Sequence, residues 1–316
     1  MFVSWDWQGR VWGRTNCSFN SDGTGPSNLN GVDGAGAACL TGDCFGKLDC
    51  QYGGAVPSTL AEFNLAGGAD EAQTFYDISL VDGYNLPLCI VFHPSPNLTW
   101  IPPNLVNPSC IGTAGLLWAP TRTGDTYTNS TYPMPYETQQ TESGVGNWCP
   151  WDLQKYPPSK PGDGVYPYPD DNIQRPAFDP CMSACAATDS DEDCCKGDYN
   201  DPNSCPKSLY STAAKAVCPD AYSYAFDDQT STFIIPSGGG WEVVFCPEGR
   251  STNILATFGS QMQALSSASR LTQEMLDAVT SIAYIESHPS LSLISTSVNL
   301  WTLTLIVVGA AAWLAF

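Results

Sequence analysis

The sequence predicts a mainly β protein with a disulfide-rich loop and helix lobe and a C-terminal apolar tail. Three observations lead to this fold class. Residues 1 to about 110 are rich in Gly, Thr, Val and aromatic residues and contain many turn signals, as is typical of an antiparallel β-sandwich or barrel. The chain has 14 cysteines, many of them closely spaced. Its last segment, 300–316, is uncharged and apolar.

The composition limits the class of partner and indicates the compartment. There are 32 acidic and 12 basic side chains among 316 residues, which gives a net charge of −20. This acidity argues against nucleic acid or an anionic membrane surface as a partner. The cysteines favour an oxidising compartment and a disulfide frame. Structural zinc is the alternative, but the spacing around Cys181, Cys185, Cys194 and Cys195 lacks paired CxxC motifs. We therefore predict no metal and no cofactor.

Two predicted strands after the first cysteine cluster carry the candidate site. Apolar residues alternate in the strand at 60–65, so Glu62 points to the opposite face. In the next strand, Asp77 and Asp82 have opposite parity and would point apart if the strand continued. The Asp82-Gly83 turn signal predicts that the strand ends just before it, so that both aspartates reach one cleft. The alternative is three solvated acids on an acidic protein.

Arg10 lies in an N-terminal segment that also reads as strand and is one of the few cations of the chain. Close to so many acids, it can form a bidentate pair with a carboxylate and lower the pKa of that carboxylate.

The rest of the first domain is predicted to run to residue 248. Residues 120–180 are dense in Pro, Tyr, Thr and Gly and are predicted to be long loops. Their aromatic rings suit sugar stacking, although simple turns are the favoured interpretation. Residues 181–218 form a compact cysteine-rich lobe with a short helix at 206–217. The β-sandwich, about 1–115, is completed by residues 219–248.

The C-terminal part is predicted to lie outside the folded domain. Residues 249–299 read as a Ser-rich spacer with one possible helix. The tail at 300–316 resembles a GPI-attachment signal, and a membrane-anchoring helix is the alternative. Three serines are candidate acceptors: Ser287, Ser290 and Ser292. We therefore expect a secreted protein at the cell surface or cell wall, with a GPI anchor.

The N-terminal segment and the sequons bear on the same expectation. No signal peptide precedes the first strand, so we expect that the sequence lacks its true start. Three glycosylation sequons fit a secreted glycoprotein, at Asn16, Asn97 and Asn129.

Six ordered blocks between about residues 5 and 248 resemble the thaumatin-like proteins. This is the plant pathogenesis-related family that includes osmotin, and it also has fungal members. The blocks are Gln8–Cys17, Cys39–Cys50, Thr59–Glu62, Tyr76–Asn85, Cys218–Tyr224 and Phe245–Pro247. The resemblance implies an antiparallel β-sandwich with a disulfide-rich lobe and a cleft between the two. It indicates a fungal-type member that is truncated at the N-terminus.

The resemblance also implies an acidic cleft and a disulfide pairing. The cleft set carries over onto Arg10, Glu62, Asp77, Asp82 and Asp227. The implied pairs are Cys17–Cys39, Cys44–Cys50, Cys110–Cys218, Cys149–Cys181, Cys185–Cys194 and Cys195–Cys205. Cys89 and Cys246 are left over. The usual partner of Cys246 belongs to an absent N-terminal strand pair, and Ile235 stands where the family usually has a cysteine.

The function implied is binding of β-1,3-glucan or a related wall polysaccharide by a monomer. A weak endo-β-1,3-glucanase would use Glu62 as proton donor and Asp82 as nucleophile or water activator, while Asp77 and Asp227 tune charge and bind hydroxyls. The alternative is a non-catalytic antifungal, defence or wall-structural module. A third hypothesis is calcium held by Asp77, Asp82 and Asp227. Protease or lipase chemistry has little support, because His93 and His288 lack a matching nucleophile motif.

Overall fold

The computed structural model describes residues 1–27, 36–51, 53–96, 100–117, 131–156, 180–267 and 271–280. Its centre is a pair of antiparallel sheets. The first sheet has the strand order β1-β2-β3-β6, and the second has the order β5-β4-β7. The strands are β1 (Gln8–Trp12), β2 (Leu60–Gly67), β3 (Gln73–Ser79), β4 (Leu88–His93), β5 (Ser109–Cys110), β6 (Phe233–Pro236) and β7 (Gly240–Phe245).

The core lies between these sheets because apolar residues alternate along the strands. Phe63 of β2 is opposite Tyr76 of β3, and both rings face the second sheet. Trp241 of β7 lies 4.4 Å from the Tyr76 ring and 4.9 Å from the Phe92 ring, measured between centroids. The phenol of Tyr76 donates a hydrogen bond to the carbonyl of Val106 at 2.7 Å, so its polar end is satisfied as well. This arrangement confirms the predicted sandwich.

Short helices and turns form the rest of the described structure. The α-helices are α1 (Glu142–Asn147), α2 (Ala184–Thr188), α3 (Leu209–Val217), α4 (Ile254–Thr257), α5 (Gly259–Ser266) and α6 (Gln273–Ala278). Single 3-10 turns occur at Pro103–Leu105, Trp151–Leu153, Gly197–Tyr199 and Asp228–Thr230. The predicted helix at 206–217 begins later, at Leu209, because the Ser208 side chain accepts from the Ser211 amide and caps the first turn.

The lobe next to the first sheet is held by disulfides. Two short bridges, Cys185–Cys194 and Cys195–Cys205, lie within it. A third, Cys110–Cys218, joins β5 to the end of α3 across a sequence separation of 108. The six bridges in the structure are the same six pairs that the resemblance implies. Cys89, which is buried in β4, and Cys246, which is exposed, lie outside these bridges.

The folded unit does not end at residue 248 as predicted. Arg250 is 7% exposed and forms a 3.1 Å ion pair with Glu137, which is 2% exposed. The carboxylate of Asp220 accepts from the first two amides of α4, at 2.8 and 3.0 Å. Apolar side chains of this segment complete the core: Ile254, Phe258, Met262, Leu265 and Val279. A spacer was predicted because this segment is rich in Ser and Ala, but these five side chains of its described part are buried.

Several expectations fall partly or wholly outside the described residues. These are most of the loops at 120–180, the sequons at Asn97 and Asn129, the candidate acceptor serines and the apolar tail at 300–316. Asn16 is described, and its side chain is exposed beside the Cys17–Cys39 bridge. Across the described ranges, none of the helices combines the length and apolar character that a membrane crossing needs.

Candidate functional site

Three ionisable side chains lie in one row across the first sheet. In the strand register, Arg10 of β1 is opposite Glu62 of β2, and Glu62 is opposite Asp77 of β3. All three therefore project from the same face, on the side away from the core between the sheets. The Arg10 Nε atom lies 3.8 Å from Glu62 Oε1. Alternation along β2 had predicted this orientation of Glu62.

Asp82 joins the row from a turn rather than from a strand. Strand β3 ends at Ser79, and Gly83 has a φ of 93°, which a residue with a side chain rarely adopts. A Cβ atom at Gly83 would also lie 2.5 Å from the Cys181 carbonyl oxygen. The turn lets Asp82 Oδ2 accept from Arg10 NH1 at 3.3 Å. The Asp82-Gly83 signal had predicted this reversal of direction.

These side chains line an open cavity of about 410 Å³ on the outer face of the first sheet, next to the segment between α3 and β6. The lining residues are Arg10, Leu60, Glu62, Asp77, Ser79, Val81, Asp82, Tyr222 and Ala225. Arg10 is 45% exposed, and Glu62 and Asp82 are 36% and 35% exposed, so a ligand in the cavity can contact all three. The cavity combines three carboxyl groups and one guanidinium with the apolar side chains of Leu60 and Val81.

The three carboxyl groups differ in how readily they ionise. Burial raises the pKa of Glu62, and the nearby Arg10 guanidinium opposes this increase while Asp82 adds to it. Burial also raises the pKa of Asp82, and Arg10 again acts in the opposite direction. The pKa of Asp77 lies well above its ordinary value because of burial, with further contributions from Glu62 and Asp228. Asp77 is thus the carboxyl group in the cavity without a cation to favour its charge.

Asp227, the fifth residue carried over from the resemblance, does not line this cavity. Its side chain is 3% exposed and lies 3.2 Å from the ammonium group of Lys215. It also accepts from the Thr230 hydroxyl at 2.7 Å and from the Ser223 hydroxyl at 2.8 Å. Burial alone would raise the pKa of Asp227, but Lys215 and these hydrogen bonds outweigh burial and lower it. Its contacts are those of a structural ion pair.

Two residues close to Asp227 in the sequence line the cavity instead, and the sequence had not indicated either of them as a site residue. Tyr222 and Ala225 line the cavity from the segment between α3 and β6. The Tyr222 phenol donates to Asp228 Oδ1 at 2.8 Å, and Asp228 is exposed. On this side of the site the sequence offered the Cys218–Tyr224 block and the pair Asp227-Asp228. The pair alone does not show which of the two aspartates is buried.

The calcium hypothesis needs Asp227 beside Asp77 and Asp82, but Asp227 pairs with Lys215 and does not line the cavity of the other two. Within the described ranges, no group of three or more His, Cys, Asp and Glu side chains is arranged to hold a metal ion. The cavity offers hydrogen-bond acceptors in the carboxylate oxygens of Glu62 and Asp82. The apolar side chains of Leu60 and Val81 can contact the C–H face of a ligand.

Comparison with known proteins gives a family for this fold and site. The model of the thaumatin family matches residues 1–247. The pathogenesis-related thaumatin-like protein 3.5 of Cryptomeria japonica is 35% identical over 242 residues, which cover 76% of this chain and 71% of that protein. The pathogenesis-related protein 5 of Arabidopsis thaliana is 35% identical over 241 residues, with coverage of 76% and 72%. The chain therefore belongs to the thaumatin family.

Proposed function

We propose that this protein binds β-1,3-glucan or a related wall polysaccharide in the cavity formed by Arg10, Glu62, Asp77 and Asp82. The observation that carries the proposal is the row of one guanidinium and two carboxyls across three strands, joined by Asp82 and open to solvent. The pathogenesis-related names of the relatives support a role in defence.

The chemistry of the cavity suits an uncharged polymer of sugars. Such a ligand gains nothing from long-range electrostatic attraction, so charged groups help it only at contact distance. Ionised carboxylates are strong acceptors for sugar hydroxyl groups. Leu60 and Val81 provide apolar surface for the C–H face of a pyranose ring. A site with both features matches the amphipathic surface of a glucan.

Weak hydrolysis of the same polymer is a second candidate function. Glycoside hydrolysis needs one carboxyl group that keeps its proton and another that is ionised. Burial raises the pKa of both acids, and Arg10 donates a hydrogen bond to Asp82. Glu62 is the proposed proton donor, acting in the molecules in which it carries a proton, and Asp82 is the proposed nucleophile or water activator. The different surroundings of these carboxyl groups favour this reading over simple surface acidity.

Six disulfides support secretion into an oxidising compartment. Attachment to the cell wall or to a GPI anchor remains a prediction from the tail sequence. A monomer remains the expected state.

Co-sedimentation with insoluble β-1,3-glucan tests binding, with cellulose as the control polymer. We expect the wild type to bind the glucan and not the cellulose. Glu62→Gln and Asp82→Asn should each weaken binding on the order of tenfold, the loss of a charge-assisted hydrogen bond. Glu242→Gln is the matched control, because Glu242 is an exposed carboxylate that pairs with His93 on the second sheet. Equal retention of all four proteins, or none above the cellulose level, would contradict the proposal.

Release of reducing ends from soluble β-1,3-glucan tests hydrolysis separately. The wild type should release sugar and Glu62→Gln should not, since the amide N–H is not acidic enough to protonate the leaving oxygen. If the wild type binds the glucan but releases nothing, the protein is a binding module and the second candidate is rejected.

A further inference from the structure

We propose that Asp77 is a neutral hydrogen-bond donor in this cavity, whose protonated carboxyl group donates to an oxygen of the bound sugar while Glu62 and Asp82 accept. This inference rests on the proposed glucan binding and assigns the carboxyl groups of the site to two opposite roles. It differs from the role of charge tuning that the sequence suggested for Asp77.

The first support is the burial of one Asp77 oxygen. The Oδ1 atom is inaccessible to solvent and has no hydrogen-bond partner among the described residues. An ionised carboxylate spreads its charge over both oxygens, so each needs a donor or water. A buried oxygen without either makes the charged form costly. In the protonated acid, Oδ1 can be the carbonyl oxygen, a weaker acceptor that costs less to leave unpaired than a carboxylate oxygen, and the O–H group can take the other position.

The second support is the set of groups that face Asp77 from the neighbouring elements. Glu62 is directly opposite it on β2. Asp228 lies on the 3-10 turn Asp228–Thr230, and Tyr222 lies in the segment that bridges to Ser79 at the end of β3. Like charges on directly opposed strand positions destabilise a sheet, and protonation of one partner removes this repulsion.

The third support is the position of the cation. The charged contacts of Arg10 go to Glu62, at 3.8 Å, and to Asp82, at 3.3 Å. Both of these acids therefore gain stabilisation of their ionised forms, and Asp77 on the far side of Glu62 does not. Glu62 and Asp82 therefore favour the ionised form and Asp77 favours the neutral form. Neighbouring carboxyl groups in other sites likewise differ in protonation state because their surroundings differ.

A sugar hydroxyl group can donate one hydrogen bond and also accept. The ionised carboxylates of Glu62 and Asp82 accept from the sugar, and the Arg10 guanidinium lies beside these two acids, where it donates to Asp82 at 3.3 Å. The Tyr222 phenol is likewise engaged, by Asp228 and Thr232. A proton on Asp77 supplies a donor from this wall of the cavity, so binding should weaken once Asp77 is ionised.

Glucan binding measured between about pH 5 and pH 9 tests this role with two substitutions at one position. Asp77→Asn keeps the shape and the donor and cannot ionise. We expect it to bind within about twofold of the wild type near pH 5 and to keep its affinity at high pH, where the wild type loses affinity. Asp77→Ala removes the donor and should weaken binding on the order of tenfold at every pH. Thermal melting of each variant verifies that it is folded.

Two outcomes would overturn the inference. One is that Asp77→Asn is as defective as Asp77→Ala near pH 5, which would mean that the cavity needs an anion there. The other is that the wild type and Asp77→Asn show the same pH dependence. Asp82→Asn serves as the comparison, because loss of an ionised acceptor should weaken binding at all pH values.

A failure of the proposed function is distinguishable from a failure of this inference. If the wild type binds no glucan, a ¹³C NMR titration of the carboxyl groups in the full chain still reports the proton on Asp77. The signal that disappears in Asp77→Asn should remain in the protonated form near pH 6. An ionised signal at that pH would reject the donor role irrespective of the ligand.

Discussion

Two acidic regions of this molecule use charge in opposite ways. In the buried pair of Glu137 and Arg250, the guanidinium donates to the Glu137 carboxylate and to the carbonyls of Glu137 and Gln140. The carboxylate also accepts from the backbone amides of Gln139 and Gln140. In the cavity, by contrast, Glu62 and Asp82 share the guanidinium of Arg10, and Asp77 has a buried oxygen without a partner among the described residues.

The difference separates charges that hold the fold from charges that remain available to a ligand. A buried ion pair whose hydrogen bonds are satisfied contributes to a unique structure, and removing one partner leaves an uncompensated charge. An open cavity with more acceptors than donors has unused bonding capacity. Asp227 belongs to the first kind, whereas Asp77 lines the open cavity, although the resemblance placed both in one set.

The largest effect is expected from breaking the buried pair. Arg250→Ala should lower the free energy of unfolding by about 3–5 kcal/mol, since it leaves Glu137 buried and unpaired. Chemical denaturation measures this loss. Lys196→Ala is the control, because Lys196 and its partner Asp189 are 57% and 89% exposed. It should change stability by less than about 1 kcal/mol. Similar values for the two variants would show that residues after 248 are not part of the folded core.

A smaller effect is expected at Asp227. Asp227→Asn should lower stability by about 2 kcal/mol at neutral pH, because Lys215 loses a charged hydrogen-bond partner. The folded pKa of Asp227 is lowered, so its contribution is present above the unfolded pKa, about 4, and is lost as pH falls through the folded pKa. The difference between wild type and variant should therefore shrink in acid. A difference that stays constant with pH would exclude a role for the charge.

The smallest effect, and one of opposite sign, is expected at Asp77. Its folded pKa is raised, so the folded state binds the proton more tightly than the unfolded state. Stability of the wild type should therefore fall as pH rises from about 4 towards the folded pKa. Asp77→Asn removes this decrease, and the variant should gain stability relative to wild type at neutral pH. Melting temperatures across this range measure the effect. A relative loss for Asp77→Asn at neutral pH would contradict a protonated Asp77.

Much of the first sheet and half of the cavity could be predicted from local pattern. A strand has a side-chain period of two, so alternation along β2 is enough to turn Glu62 away from the core. The Asp82-Gly83 pair marks a turn because glycine tolerates positive φ. The cysteine pairing required the family resemblance, since spacing alone allows many connectivities.

The sequence by itself determined the alternation of the strands, the reversal at Asp82-Gly83 and the acidity of the site, because these depend on neighbours close in the chain. Only the tertiary structure decided the partners. It brought Lys215 to Asp227 and, across a separation of 113 residues, Arg250 to Glu137, and it left Asp77 without a cation among the described residues. Whether a carboxyl group serves the fold or the ligand depends on burial and on the charges around it, and both are set when distant segments pack together.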